Sequence, residues 1–260
     1  MLFRSILKFS KANEFFELEA ISCLKKEYAD LPMGVDISAL CAATHFCAPK
    51  TSDNNGKVKA SCVMAMSPVN FSKDSKYIML SATVDEQICK YYFGEDNVIF
   101  YNCKNARYTG TLKQYANRSM SRADLYKEPS VVSVIKNWSG FKHTISFKKL
   151  QQDGLYKGDL YFGNSAGCDY LKGENIDVIG TPHQPEWVYK LFAYSIGLDF
   201  DIDAKIKPCN TVTHNGWKFR FTTYEDKVLR DIQFYMIESE LEQAVGRARL
   251  LRKETVPNFV

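Results

Sequence analysis

This sequence predicts an α/β fold: an open, mostly parallel sheet flanked by helices, with an inserted hairpin region. Three observations carry that expectation. Short apolar runs of strand length alternate with longer segments of helical periodicity. Several of those runs lead directly into small, polar or turn-forming residues, as strands do when they deliver loops to the edge of a sheet. Asn215-Gly216 stands between two extended segments, and that dipeptide favours a two-residue hairpin turn.

The elements follow in order. Residues 13–30 place Phe15, Phe16, Leu18, Ile21 and Leu24 at helical spacing before Lys25-Lys26, which predicts a helix. Residues 50–58 consist almost wholly of turn formers and predict a loop. Residues 59–66 and 77–80 read as short buried strands, and 84–93 as a short helix closed by Gly94. A second unit opens with a strand at 97–102 and another at about 108–115. Residues 122–138 are helical in pattern with a break at Pro129, and 142–148 alternate as a strand. Further short apolar runs at 158–162 and 176–180 precede a helix at 187–196 and an insertion at about 199–230. A final helix is expected from about residue 227 to 252. The division expected from this order is 1–95 and 96–260.

Composition narrows the class without naming it. The 260 residues suffice for one large or two small cores, and 45% hydrophobic with 25% charged residues is ordinary for a globular chain. No apolar run approaches the roughly 18–20 residues of a membrane span, so no membrane partner is expected. The opening residues are too soon interrupted by charge for a secretory signal. Thirty-four basic against thirty acidic residues leave +4, which permits a nucleic-acid partner without demanding one. The eight cysteines form no Cys-x-x-Cys pair, and reduced thiols in a cytoplasm are expected. The one Cys/His cluster, Cys41 to Cys47 with His45, lacks a fourth ligand, so no metal site is expected.

The segment with the most chemistry is Gln243-Ala-Val-Gly246-Arg247-Ala-Arg249. On a helix Gln243, Gly246 and Arg247 share a face, with Ile237, Leu241 and Val245 on another face suited to a sheet. Arginine forks and an amide beside a bare glycine backbone suit a polyphosphate. A solvated basic helix end is the plainer reading. Arg249 joins Arg247 only where the helix ends or bends after Gly246. Two further segments carry chemistry. The run 77–80 leads into Ser81-Ala82-Thr83, where Thr83 and Glu86 also suit a capping box and Asp85-Glu86 suits a first helical turn. The run 160–162 leads into Gly163-Asn164-Ser165-Ala166-Gly167-Cys168-Asp169. There the glycines admit a ligand to the backbone, Asn164 and Ser165 can donate to a phosphate, and Asp169 can accept from a ribose hydroxyl.

Taken together these segments resemble superfamily 2 helicases: Ser81-Ala82-Thr83 is similar to motif III, 160–169 to motif V, and 243–249 to motif VI, in the family's order. His143 to Lys148 falls where the motif IV strand would stand. The resemblance implies the distal part of a first RecA-like domain over 1–95 and a second RecA-like domain over 96–260. It implies Gln243, Arg247 and Arg249 as catalytic groups, Gly246, Gly167 and Asp169 at the nucleotide, Asn164 and Ser165 at nucleic acid, and Ser81 and Thr83 in coupling. It further implies ATP and Mg2+ as cofactors, held mainly by a P-loop half that the sequence lacks, and nucleic acid, DNA in preference to RNA, as partner. Gly56-Lys57 is the nearest fragment to a P-loop and lacks its first glycine, so hydrolysis by this chain alone is not expected. That half would be an N-terminal RecA-like domain in the same or a separate chain. The alternatives are a non-enzymatic nucleic-acid-binding module derived from a truncated helicase, and an unrelated α/β enzyme. Against the last, neither His183 nor His214 has an identifiable nucleophile beside it.

Overall fold

The computed structural model describes residues 15–17, 37–52, 58–60, 62–102, 109–115, 118–158, 160–249 and 258–259. The fold is broadly α/β, with mixed helices and strands gathered into small sheets. It divides into two compact units, Met1–Leu80 with Pro185–Ile232, and Ser81–Gln184 with Gln233–Val260. These contact units are not consecutive in sequence, because the chain leaves the first unit after Leu80 and returns at Pro185. No helix among the described residues is long and apolar enough to cross a membrane.

The first unit is built on antiparallel pairing. Phe15–Glu17 and Met64–Met66 flank a central strand, His45–Cys47. Their register stacks Phe16 on Phe46, with ring centroids 5.4 Å apart. The helix Glu186–Ser195 buries Tyr189, Leu191 and Ala193, and its Ser195 hydroxyl donates to the Met66 sulfur at 3.3 Å. Lys190 on that helix is buried, and its Nζ donates to the Ile202 carbonyl at 2.6 Å. Two hairpins complete the unit: Lys50–Ser52 with Val58–Ala60, and Lys207–His214 with Trp217–Thr223. The second turns on Asn215 and Gly216, both at positive φ (50° and 81°), the backbone a type I′ turn demands.

The second unit holds a parallel sheet of four short strands, in the order Lys113–Gln114, Asn258–Phe259, Ile176–Val178, His143–Ile145. Both faces of its better-covered half carry helices. Ile145, Ile176 and Val178 meet Leu160, Leu171, Ala244 and Ala248 on one face. Phe147 and Ile179 meet Met120 and, from the helices Arg122–Lys127 and Ser130–Ser139, Leu125, Val132 and Ile135 on the other. The alternation of Ile176 and Val178 against Ile179 is the period of two written into the pleat. Burying each of these side chains stabilises the fold by roughly 1.5–3 kcal/mol.

Local signals held where capping chemistry supported them. The helix Glu86–Phe93 is capped by Asp85, whose carboxylate accepts from the Ile88 N–H at 3.0 Å. The cap is therefore Asp85 and not Thr83; the shorter reach of the aspartate from one residue before the helix wins. Gly94 closes that helix at φ 88°. The break at Pro129 separates two helices as expected.

Other expectations are corrected. Phe15–Glu17 is a strand, not helix, because its aromatic pair finds a cross-strand partner in Phe46; residues 18–30 lie outside the described residues. Lys50–Ser52 and Val58–Ala60 pair as a hairpin where a loop was expected, and 53–57 lie outside the described residues. Residues 77–80 form no strand: Ile78 and Leu80 are 91% and 94% exposed. Residues 97–102 form no strand either, with Ile99 and Tyr101 80% and 84% exposed. A strand exists only where another strand takes its hydrogen bonds, and neither run has one among the described residues. At 160–162 the chain runs beside the sheet, the Phe162 N–H donating to the Ser146 carbonyl at 2.9 Å, without entering a ladder. The long helix ends at Gly246, short of the expected 252.

Gly180, which follows the strand Ile176–Val178, is required by space and by backbone. It sits at φ 118°, and an added Cβ would lie 2.7 Å from the Phe147 ring. Gly180→Ala is expected to destabilise the fold by about 1–3 kcal/mol, measured by chemical denaturation, and Phe147→Leu should recover part of that loss. Equal stability of wild type and Gly180→Ala would contradict the packing described here.

Candidate functional site

The loop 163–169 and the segment 243–249, some eighty residues apart in sequence, meet in the second unit. Their meeting begins with the long helix Lys227–Gly246, which buries Ile237 and Ala244 near this end, and with Ala248, buried just past it. Ala244 and Ala248 are wholly buried against the strand residues Ile145, Ile176 and Val178. Leu241 and Val245, expected to form this face, are only half-buried beside it.

The helix then ends abruptly. The N–H groups of Arg247, Ala248 and Arg249 donate to the carbonyls three residues back, at 3.1 to 3.2 Å, tightening the last turn. Arg249 takes φ 58°, a left-handed conformation unusual for a side-chain-bearing residue. This is the bend that the segment needed for both arginines to serve one site.

Arg247 donates from Nη1 to the Cys168 carbonyl at 3.1 Å and from Nε to the Gln243 carbonyl at 3.1 Å. A guanidinium carries five donor hydrogens, so these two bonds orient the fork without exhausting it. Arg249 forms an ion pair and a hydrogen bond with Asp169, a carboxylate that remains 70% exposed. The Gly173 N–H donates to the Ala248 carbonyl at 3.1 Å, and the Gly163 N–H donates to Glu240 Oε1 at 2.7 Å. Glu240 was not anticipated. Its one sequence clue is its place three residues before Gln243 on the same helix.

The remaining candidates are placed as follows. Gln243 is half-buried, and its side chain has no hydrogen-bond partner among the described residues. Gly246 faces open space: a Cβ there would meet nothing within 4 Å. Gly167, at φ 72°, is likewise open. Ser165 is buried at 2% exposure, and Asn164 turns its carbonyl oxygen to the Tyr161 N–H at 2.6 Å. As folded, these two side chains support the loop more than they display it. Ser81 accepts from the Thr83 N–H at 3.2 Å, and the Thr83 carbonyl accepts from the Ser239 hydroxyl at 3.2 Å. Ser81-Ala82-Thr83 thus touches the long helix one turn before Gln243, although no strand leads into it.

Other titratable groups lie apart from this arrangement. His183 pairs through Nδ1 with the buried Gln233 at 3.2 Å, and burial, with Arg122 nearby, lowers its pKa. Burial pushes the Cys47 thiol up to about 12, so it is no thiolate at neutral pH. Among the described residues no group of three or more His, Cys, Asp or Glu side chains is gathered as a metal ion requires. Comparison with protein-family models, with curated proteins and with solved structures returned no match.

The hydrogen bond from Arg249, followed by its charge, holds the Asp169 carboxyl below the ordinary carboxylate range. A lowered folded pKa means that the pair contributes above the ordinary range and is lost as pH falls through the lowered value. Because Asp169 is largely solvated and Arg249 more than a third exposed, the gain in stability is small. The titration itself is the sharper readout. Followed by side-chain carboxyl NMR, Asp169 in Arg249→Ala should titrate nearer the ordinary range, and an unmoved titration would refute the pair.

Proposed function

We propose that this chain is the carboxyl-terminal motor half of an ATP-dependent superfamily 2 nucleic-acid helicase or translocase. On this reading it comprises an open RecA-like second domain and the tail of the first. The observation that carries the reading is the convergence of 163–169 with 243–249, through Arg247 on the Cys168 carbonyl and Arg249 on Asp169. Two arginines beside an open glycine make a cationic, accessible place for a polyphosphate. The parallel pairing of Ile176–Val178 with His143–Ile145, covered by helices on both faces, supports the same reading.

The residues present fit part of an ATP site. Arg247, pre-oriented by backbone carbonyls and with donors to spare, would reach the transferred phosphoryl group from across a cleft. There it would stabilise the charge that develops, an effect worth several orders of magnitude in rate. Arg249 must exchange Asp169 for phosphate to join it, so its role is secondary. Gln243 would orient beside it. No group of three or more His, Cys, Asp or Glu side chains gathers around a metal position among the described residues, and on this reading the metal and most of the nucleotide would belong to the P-loop half. Nucleic acid would run along the loop 163–169, met by its backbone N–H groups more than by Ser165.

The test is ATP hydrolysis by the chain together with the half that carries the P-loop, in one polypeptide or two. Arg247→Ala should lower nucleic-acid-stimulated turnover about a thousandfold or more while oligonucleotide affinity stays within about twofold. Undiminished turnover in that variant would sink the assignment. Salt-dependent oligonucleotide binding that ATP and Mg2+ never alter would favour the non-enzymatic binding module instead.

A further inference from the structure

The hairpin Lys207–His214 with Trp217–Thr223 carries a surface that the nucleotide-site reading does not use. Along its second strand Trp217, Phe219 and Phe221 alternate onto one face. Trp217 lies opposite His214, and Phe219 opposite Val212, a buried residue whose side chain shares that face. Trp217 is 76% exposed and Phe219 36% exposed, and the Phe219 and Phe221 rings meet edge to face at 6.0 Å. A tryptophan left this open gives up the stabilisation that burial would bring.

Charge identifies the occupant. From Lys205 to Thr223 the chain bears Lys205, Lys207, Lys218 and Arg220 and not one acid. Lys207 is paired with Glu225 at 2.7 Å, but Lys218 and Arg220 have no ion-pair partner among the described residues. The pleat sends Lys218 and Arg220 to the opposite side from the aromatic row, and no further strand pairs with either edge of the ribbon among the described residues. A ligand that satisfies both sides needs flat apolar groups joined to a flexible anionic chain that can pass over a ribbon edge. Single-stranded nucleic acid has that chemistry, its bases stacking on the rings and its phosphates reached by the long cationic side chains. Duplex, with its bases already stacked, does not.

We propose that this hairpin is a stacking platform for unpaired nucleobases, with Trp217 and Phe219 as the ring faces and Lys218 and Arg220 as phosphate contacts. The choice of nucleic acid rests in part on the motor reading; the placement of the site on the hairpin does not. The hairpin turn and the edge-to-face contact of Phe219 with Phe221 hold the row in shape, so a strand meets preformed rings.

The experiment is fluorescence anisotropy with a fluorescein-labelled oligothymidylate of about 16 nucleotides, without nucleotide present. Trp217→Ala should weaken binding by roughly 5- to 150-fold, and Trp217→Phe should keep it within about threefold of wild type. Lys218→Ser with Arg220→Ser should reduce the slope of log K against log salt by about 1.4. Trp217 is exposed enough that its removal leaves the fold intact, which circular dichroism checks. Binding indifferent to Trp217→Ala, or a blunt duplex competing as well as the single strand, overturns the proposal. So does Trp217-dependent capture on vesicles of phosphatidylserine and phosphatidylcholine without Trp217-dependent oligonucleotide binding. Failure here shows in Trp217 variants without ATP, whereas failure of the motor reading shows in Arg247 turnover, so the two are told apart.

Discussion

The burial of Ala244 and Ala248 in one cluster with Ile145, Ile176 and Val178 is the constraint from which the candidate site follows. Both alanines are fully buried, and a larger side chain at either would overpack the cluster. With that face committed inward, Gly246 is left on open ground, and the helix ends within the next turn. The arginines therefore emerge beside the loop 163–169 and not along a solvated helix flank. Packing of two small apolar residues thus decides where two large cationic ones stand.

Around that seat, backbone groups do most of the positioning. The Cys168 carbonyl orients Arg247, the Ala248 carbonyl takes the Gly173 N–H, and Glu240 takes the Gly163 N–H. These bonds tie the loop to the helix end at several points, so movement of either carries the other with it. Such coupling is what a site reading a phosphate on one side and a polymer on the other would use. The contact of Thr83 with Ser239 adds a third sequence-distant segment to the same helix.

The two surfaces argued for function differ in kind. The arginine site is held by neighbours, with Arg247 oriented by two carbonyls and Arg249 already paired with Asp169. The hairpin is the reverse: Trp217 stands in water, and Lys218 and Arg220 lack counter-charges among the described residues. A held site suits chemistry that needs fixed geometry, and an unsatisfied one suits a ligand whose sequence varies.

Local physics was legible from the residues alone. Asn215-Gly216 could make its turn because its backbone preference needs no distant partner, and the break at Pro129 and the close at Gly94 follow the same logic. The polar, glycine and arginine residues of 163–169 and 243–249 were also visible, since residue types and spacing are intrinsic to the chain. Their contact was not: Arg249 on Asp169 depends on a left-handed residue and a helix end set by Ala244 and Ala248 against the sheet. Nor could the apolar runs at 77–80 and 97–102 reveal that they would stay exposed, or Phe15–Glu17 that it would pair with His45–Cys47. Turns and caps are satisfied within a few residues, so sequence determines them. Strands and sites are satisfied only by partners far along the chain, and the tertiary structure alone decides which partners arrive.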